Sequence, residues 1–284
     1  METTTCYRDE KTGELGGLTR VRSLTQDDAH VFCRPDQIEQ EFENIMQMIK
    51  SLYGALGMKF KARLSFHDPE NREEYLGDDS LWKMAEEKIE MVAKKLELDY
   101  FIAKGEAAFY GPKIDVMVID ALGREWQCAT EQLDFVQPSR FELEYTDSDG
   151  TKKTPVMIHK ALLGTIDRFM GVYIEHTAGN FPLWMSPVQV RVITVGEEQN
   201  TFAQTVHAAL VTANIRSEFD SSNESLGKKI RIAKQEKLPY FVVIGAKEVE
   251  ANTITLEKRE GGSESMTVDA LVARLADEIK TKKI

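Results

Sequence analysis

Arg8 and Glu10 precede a glycine-bearing turn at residues 11–17, and Arg20 and Arg22 follow it. Gln26, Asp28 and His30 come next at two-residue spacing. If the segments flanking the turn are the arms of a hairpin, Arg8 and Arg20 face one ligand from opposite sides. Guanidinium groups grip phosphates through planar, two-pronged hydrogen bonds. Glu10 beside them is an acceptor suited to an exocyclic amine. Taken alone, these residues also describe surface ion pairing, which contributes little energy. The run that follows shifts the reading. On an extended segment, Gln26, Asp28 and His30 point an amide, an acid and an imidazole to one face. A polyphosphate grip beside an acid–imidazole pocket points to an enzyme.

Four other places could join that chemistry. His159 lies in an apolar stretch and, with His30, offers a second neutral imidazole of the kind that binds zinc. A lone histidine is more often a packed residue, and zinc takes three protein ligands even at an open site. The residues by themselves do not name the third. The turn Phe109-Tyr110-Gly111-Pro112 delivers Lys113 into a strand, where its ammonium could reach a carboxylate or phosphate. An edge lysine with a snorkelling side chain has the same pattern. In 126–134, a regular strand would put Gln127 on one face and Thr130 and Gln132 on the other. A polar sheet face is either a binding floor or a solvated surface. Arg168 stands among Ile166, Phe169 and Met170, where a cation needs a partner. Adjacent Asp167 does not face it on a helix, which favours a bound phosphate.

These residues need a substantial scaffold, and 284 residues favour two domains or one large one. With 42% hydrophobic and 29% charged residues, a globular protein with a true core is expected. A net charge of −11 excludes general nucleic-acid binding through a basic surface, though not a local RNA-binding patch. No segment resembles a signal peptide or the apolar run of about twenty residues that spans a membrane. Cys6, Cys33 and Cys128 have no paired spacing and read as free thiols of a reducing cytoplasm.

Spacing predicts a strand over 18–33 and a helix over 36–53, where Ile38, Phe42, Ile45, Ile49 and Leu52 step by four and three. A strand over 59–66 follows, then a polar loop, then a helix with Asp79 as N-cap and Leu81, Ala85, Ile89, Val92 and Leu96 on one face. Strands are expected over 113–120, 125–136 and 141–145, with turns at Leu122-Gly123 and at Asp147–Gly150, and a helix over 157–177. Strands joined by hairpins with inserted helices imply an antiparallel sheet. Two prolines within 182–187 mark a boundary. Beyond it, strands at 188–195, 215–219, 240–244 and 253–257 alternate with helices at 197–213, 224–236 and 268–280, a small α/β domain.

Together, Thr25-Gln-Asp-Asp-Ala-His30, Arg8 and Glu10 before it, Tyr110-Gly-Pro-Lys113, Gln127-Cys128, Ile158-His159 and Gly164-x-x-Asp167-Arg168-Phe169 resemble the class II threonyl-tRNA synthetases. The second domain is similar to that family's anticodon-binding domain through Pro187-Val-Gln-Val190, Asn223-Glu224 with Gly227 before Lys229-Ile-Arg231, and Val242-Val-Ile-Gly245-x-Lys247-Glu248. The resemblance covers essentially the whole chain. It implies an α+β fold: a class II catalytic sheet with helices over 1–183, amino-terminally truncated, then an anticodon-binding domain over 187–284. It implies threonine–tRNA ligase activity in the cytoplasm, with threonine, ATP, Mg²⁺, Zn²⁺ and tRNA(Thr) as ligands and a homodimer as the family's assembly. Arg8 would hold the α-phosphate, Glu10 and Gln127 would join the ATP site, and Arg20 and Arg168 would hold the terminal phosphates. Lys113 and Gln26 would sit where the adenylate forms. Asp28, Tyr110 and Gln132 would contact threonine, and His30 and His159 would ligate zinc.

Several positions depart from the family pattern. Gly16 stands where the family often has histidine, Asp167 where glutamate is usual, and Ser222 and Glu257 where many relatives carry arginine. The family's third zinc ligand is a cysteine that would lie upstream of Met1, and an interface motif would lie there too. The expectation for this chain is therefore weak or absent zinc binding and impaired homodimerisation. The alternatives are a non-catalytic tRNA-binding remnant of a synthetase and, more remotely, a metal-dependent hydrolase built on Asp27, Asp28 and His30.

Overall fold

The computed structural model describes residues 2–284. The chain divides into two compact units, Met1–His176 and Thr177–Ile284. The first is built on a seven-stranded sheet. Its strands and helices are β1 (Glu2–Tyr7), β2 (Ser23–Cys33), α1 (Ile38–Ala55), β3 (Lys59–Phe66), α2 (Asp79–Lys95), β4 (Tyr100–Lys104), β5 (Lys113–Ile119) and β6 (Glu125–Asp134). A short helix α3 (Gln137–Arg140), the hairpin of β7 (Tyr145–Thr146) and β8 (Lys152–Lys153), β9 (Val156–Ala161) and α4 (Ile166–Thr177) complete it. The sheet order is β1-β2-β9-β6-β5-β3-β4. Every pairing is antiparallel except β3 with β4.

One face of this sheet is the core. Ala62, Leu64, Ile114, Val116, Ala129, Leu133 and Ile158 are buried on it. The helices α1 and α2 lie against it and bring Ile38, Phe42, Ile45, Ile49 and Tyr53, with Trp82, Ala85, Ile89 and Val92. The fours and threes of α1 become one buried stripe as far as Ile49, after which Tyr53 is buried and Leu52 only half-buried. Asp78, not Asp79, caps α2 by accepting the Leu81 amide at 2.9 Å.

The sheet departs from the spacing-based expectations in three instructive places. Residues 157–161 belong to strand β9 in the middle of the sheet, and only Ile166–Thr177 is helical. Val156, Met157 and Ile158 are buried in succession, an apolar run without alternation that does not separate strand from helix until its neighbours are known. The expected strand at 141–145 shrinks to Tyr145–Thr146. Pro138 near the start of α3 and the positive φ of Glu142 break any extension there. The long hairpin strand begins at Ser23, because residues 8–22 form a looped connection with two short 3₁₀ turns. The register therefore sets Arg8 opposite Arg22, whose carbonyl accepts the Arg8 amide at 2.8 Å, and not opposite Arg20.

The second unit has a five-stranded sheet of order β11-β10-β12-β13-β14. Its elements are β10 (Val190–Thr194), α5 (Asn200–Thr212), β11 (Ser217–Asp220), α6 (Leu226–Gln235), β12 (Tyr240–Ile244), α7 (Ala246–Ala251), β13 (Ile254–Lys258), β14 (Ser263–Met266) and α8 (Val268–Lys280). β10 pairs in parallel with β11 and β12, while β12, β13 and β14 run antiparallel. Val190, Val192 and Leu256 pack with Ala203, Val206 and Leu210 of α5 and Leu271 and Leu275 of α8. Ile193 and Phe241 pack with Ala233 of α6 in a second cluster. The whole chain is α+β, an antiparallel-rich sheet with helices followed by a mixed α/β unit. No described helix is long and apolar enough to cross a membrane.

Candidate active site

The second face of the large sheet is polar, and the candidate residues gather there. Gln26, Asp28 and His30 lie on it from β2, while Asp27, Ala29 and Cys33 between and beyond them are buried on the core side. Asp27 accepts the amides of Leu162 and Leu163 on that core side, at 2.7 and 3.1 Å. It therefore cannot join Asp28 and His30, which removes the hydrolase constellation. His30 pairs across the ladder with His159 of β9, and their rings meet edge-on with centroids 4.7 Å apart. His159 pairs in turn with Gln132 of β6, and Gln132 with Lys113 of β5. Four strands thus carry one row of functional groups.

A bulge adds to that face. Val116 pairs with Ala129 but Met117 pairs with Gln127, leaving Cys128 as the extra residue of β6. In a regular strand Gln127 would face away from Thr130 and Gln132. With the bulge, Gln127 joins them, and its amide and the Thr130 hydroxyl both donate to Oδ1 of Asp115, at 2.7 and 2.9 Å. Bulges re-aim side chains at functional places, and one-residue insertions leave no mark in composition.

Two glycines make the close approaches behind this floor. A Cβ on Gly111 would lie 1.7 Å from the Leu133 carbonyl oxygen, so the turn carrying Tyr110 can press onto β6 only as glycine. Gly164 has φ +68 and a Cβ there would sit 2.1 Å from the carbonyl oxygen of Cys128, the bulge residue. Arg168, at the start of α4, donates to the Gln127 carbonyl at 3.1 Å and to the Thr19 carbonyl at 2.8 Å. Asp167 accepts the Thr25 amide at 2.9 Å and is not the partner of Arg168.

Tyr110 donates its hydroxyl to the Gln132 side chain, and its ring lies 5.0 Å from that of His159. Burial, then the carboxylates of Asp134, Asp28 and Asp115, push the phenol up to about 12. It stays protonated and remains a donor at physiological pH. Glu10 accepts from Arg20 Nε at 2.9 Å, and Arg22 donates to the Glu10 carbonyl. Glu10 and Arg20 are thus joined to each other, and their partly exposed pair is of the weak kind that a polyphosphate can displace. Arg63, Asp115 and Asp134 also belong to this face, although residue spacing did not single them out. A carboxylate inside Lys113-Ile-Asp-Val-Met-Val-Ile119 was the available signal, since charge in a central strand is costly unless it is paired.

The two imidazoles meet, but they do not complete a zinc site. Nε2 of His159 is 2.9 Å from Oδ2 of Asp134, whose Oδ1 is committed to the amides of Val136 and Gln137. Among the described residues no three His, Cys, Asp or Glu side chains are grouped to hold a metal. Cys6, Cys33 and Cys128 are all free. Burial first, with Glu41 and Asp36 adding, pushes the Cys33 thiol up to about 11; burial does the same to Cys128.

An antiparallel sheet with a bulged polar floor, a looped arginine-bearing hairpin at one edge and a separate α/β unit is the architecture of a class II synthetase. The chain belongs to that family: residues 1–177 match the class II core domain of tRNA synthetases (G, H, P, S and T), and residues 189–278 match an anticodon binding domain. Within the family its likeness is to the threonyl members. It is 48% identical over 280 residues to a threonine–tRNA ligase of Pelodictyon phaeoclathratiforme, covering 98% of this chain and 43% of that protein. It is 49% identical over 259 residues to the threonine–tRNA ligase of Synechocystis sp., covering 91% of this chain and 43% of that one. The crystal structure of the RNA binding domain of threonyl-tRNA synthetase from Cryptosporidium parvum superposes with a TM-score of 0.90 at 38% identity, covering 96% of this chain and 68% of that one. The chain thus spans under half the length of these two curated relatives, matching their carboxy-terminal portion.

Proposed function

We propose that this chain activates threonine with ATP as threonyl-adenylate and passes the threonyl group to tRNA(Thr). The observation that carries the reading is the one polar face that gathers Asp28, His30, His159, Gln132, Tyr110, Gln127 and Lys113 from four strands and one turn. We assign residues 1–183 to the catalytic domain and 187–284 to the anticodon-binding domain.

Adenylate formation joins a carboxylate oxygen to the α-phosphorus and expels pyrophosphate, so it is largely a matter of alignment and charge stabilisation. Arg8 and Lys113 would neutralise the α-phosphate and the attacking carboxylate. Arg20 and Arg168 would hold the terminal phosphates with Mg²⁺, and Glu10 and Gln127 the nucleoside. Asp28 would accept from the threonine hydroxyl, with Gln26, Tyr110 and Gln132 around the amino acid. A site that pairs a hydroxyl rejects valine, because the isostere leaves buried polar groups unpaired. His30 and His159 supply at most two of the three protein ligands that zinc takes. We expect purified protein to hold zinc weakly or not at all, and one tightly held equivalent by elemental analysis would overturn that. A cytoplasmic location fits the three free thiols.

The test is threonine-dependent ATP–pyrophosphate exchange by the 284-residue chain, with serine and valine as controls. Exchange that is strong with threonine and near background with valine is expected. No exchange from folded protein would overturn the activation step. Retained tRNA(Thr) binding in that case would instead support a non-catalytic RNA-binding role.

A further inference from the structure

We infer that Asp115 is the positioning residue of this site, holding Lys113 and Gln127 in place from beneath; the inference rests on the adenylation reading proposed above. Asp115 is completely buried in the centre of the large sheet. Its carboxylate takes a full set of partners. Oδ2 accepts from the Ser65 hydroxyl at 2.7 Å and from Arg63 at 3.0 Å, and lies 3.3 Å from Nζ of Lys113. Oδ1 accepts from the Gln127 amide at 2.7 Å and the Thr130 hydroxyl at 2.9 Å.

Two of those partners, Lys113 and Gln127, are the groups assigned to the reacting phosphate and the nucleotide. They come from different strands and reach one carboxylate only because the bulge at Cys128 turns Gln127 to this face. Arg63 closes the arrangement, donating to the Gln127 side-chain oxygen at 3.1 Å while bonded to Asp115. Gln127 is therefore fixed at both ends of its amide.

The charge count supports the same role. Buried Asp115 sits between two cations, Arg63 and Lys113. Glu106 lies 3.3 Å from Arg63, but it is half exposed and screened. Asp115 lets two cations stand side by side without repelling each other, and it orients Lys113 without neutralising the whole site. A residue with this job is expected to act on turnover more than on nucleotide affinity, because alignment matters most at the transition state.

The test uses the full chain with Asp115→Asn, Asp115→Glu and Thr130→Val. Asp115→Asn keeps the shape but removes the charge and turns one acceptor into a donor. It is expected to lower kcat for threonine-dependent exchange by about 10–100-fold, with KM for ATP changing less than about threefold. Asp115→Glu should recover part of the loss, and Thr130→Val, which removes a single donor, should give a smaller change in the same direction. Equal kcat in wild type and Asp115→Asn would overturn the inference, as would a loss confined to KM. If Asp115→Asn does not fold, the other two variants decide: unchanged kcat in both overturns the role.

A second readout keeps this separate from the proposed activity. With lysines ¹³C-dimethylated and the Lys113 resonance assigned by its absence in Lys113→Arg, the Lys113 signal in wild type should stand apart from those of solvent-exposed lysines. It should collapse toward them in Asp115→Asn, or in Thr130→Val to a lesser degree. If wild type shows no exchange, the adenylation reading fails, while the anchoring of Lys113 still stands or falls on this signal. A Lys113 signal that is the same with and without the Asp115 carboxylate refutes the anchor.

Discussion

Glu131 shows how one residue can work against the stability of its fold. It sits on the core face of β6, fully buried, and neither carboxylate oxygen has a hydrogen-bond partner among the described residues. Its cross-strand neighbours are Ile114 and Lys160. Burial pushes its carboxyl well above the usual range, and Lys160 only partly offsets that. The folded state therefore binds this proton more tightly than the unfolded chain does. The ionisation part of the penalty vanishes below the unfolded value of about 4.3, where both states are protonated. Above it, the unfolded state ionises first and folding stability falls as pH rises. Glu131→Leu should remove that slope, raising stability by about 1–3 kcal/mol at pH 4 through loss of the unsatisfied carboxyl and by more at pH 8. Urea midpoints at the two pH values check this, and an equal gain at both would contradict it. Tyr110 provides the opposite case. With its phenol near 12, threonine affinity should show no tyrosine titration between pH 6 and 10, measurable by calorimetry across that range.

At the level of elements, the site depends on backbone approaches that only glycine permits. Gly111→Ala drives a Cβ into the Leu133 carbonyl and must lift the Tyr110 turn off β6. Exchange activity should fall more than tenfold while α1 and α2, on the far face, keep the fold cooperative. Wild-type activity in this variant would mean that the turn can move freely. Gly164→Ala combines a positive φ with a clash at the bulge carbonyl, and should cost more than about 2 kcal/mol of stability by urea denaturation. A shift within error would show that the loop before α4 is not seated on the bulge as described.

For the molecule as a whole, the division into two units carries its own prediction. Residues 177–284 hold a separate core in which strands are covered by α5 and α8 on one side and by α6 on the other. Units with their own cores fold alone. Expressed by itself, 177–284 should give a dispersed NMR spectrum and a cooperative melt, and the intact chain should melt in two transitions. An unfolded fragment would show that its stability comes from the rest of the chain.

Much of this was legible in the residues alone. The alternation in β3, the fours and threes of α1, and the single-face spacing of Gln26, Asp28 and His30 needed no tertiary information, because side-chain direction follows from local backbone period. The candidate residue types and their order likewise belong to the sequence. Three features were decided only by tertiary structure. His159 lies on a central strand and not on a helix, because the unalternating buried run Val156–Ile158 before it lacks the period that separates the two. Arg8 stands opposite Arg22 because the turn is a fifteen-residue excursion whose length shifts the register. Gln127 joins Thr130 and Gln132 because one bulged residue reverses the alternation, and an antiparallel ladder places a bulge by what its neighbouring strand can pair with, not by the residues of its own strand.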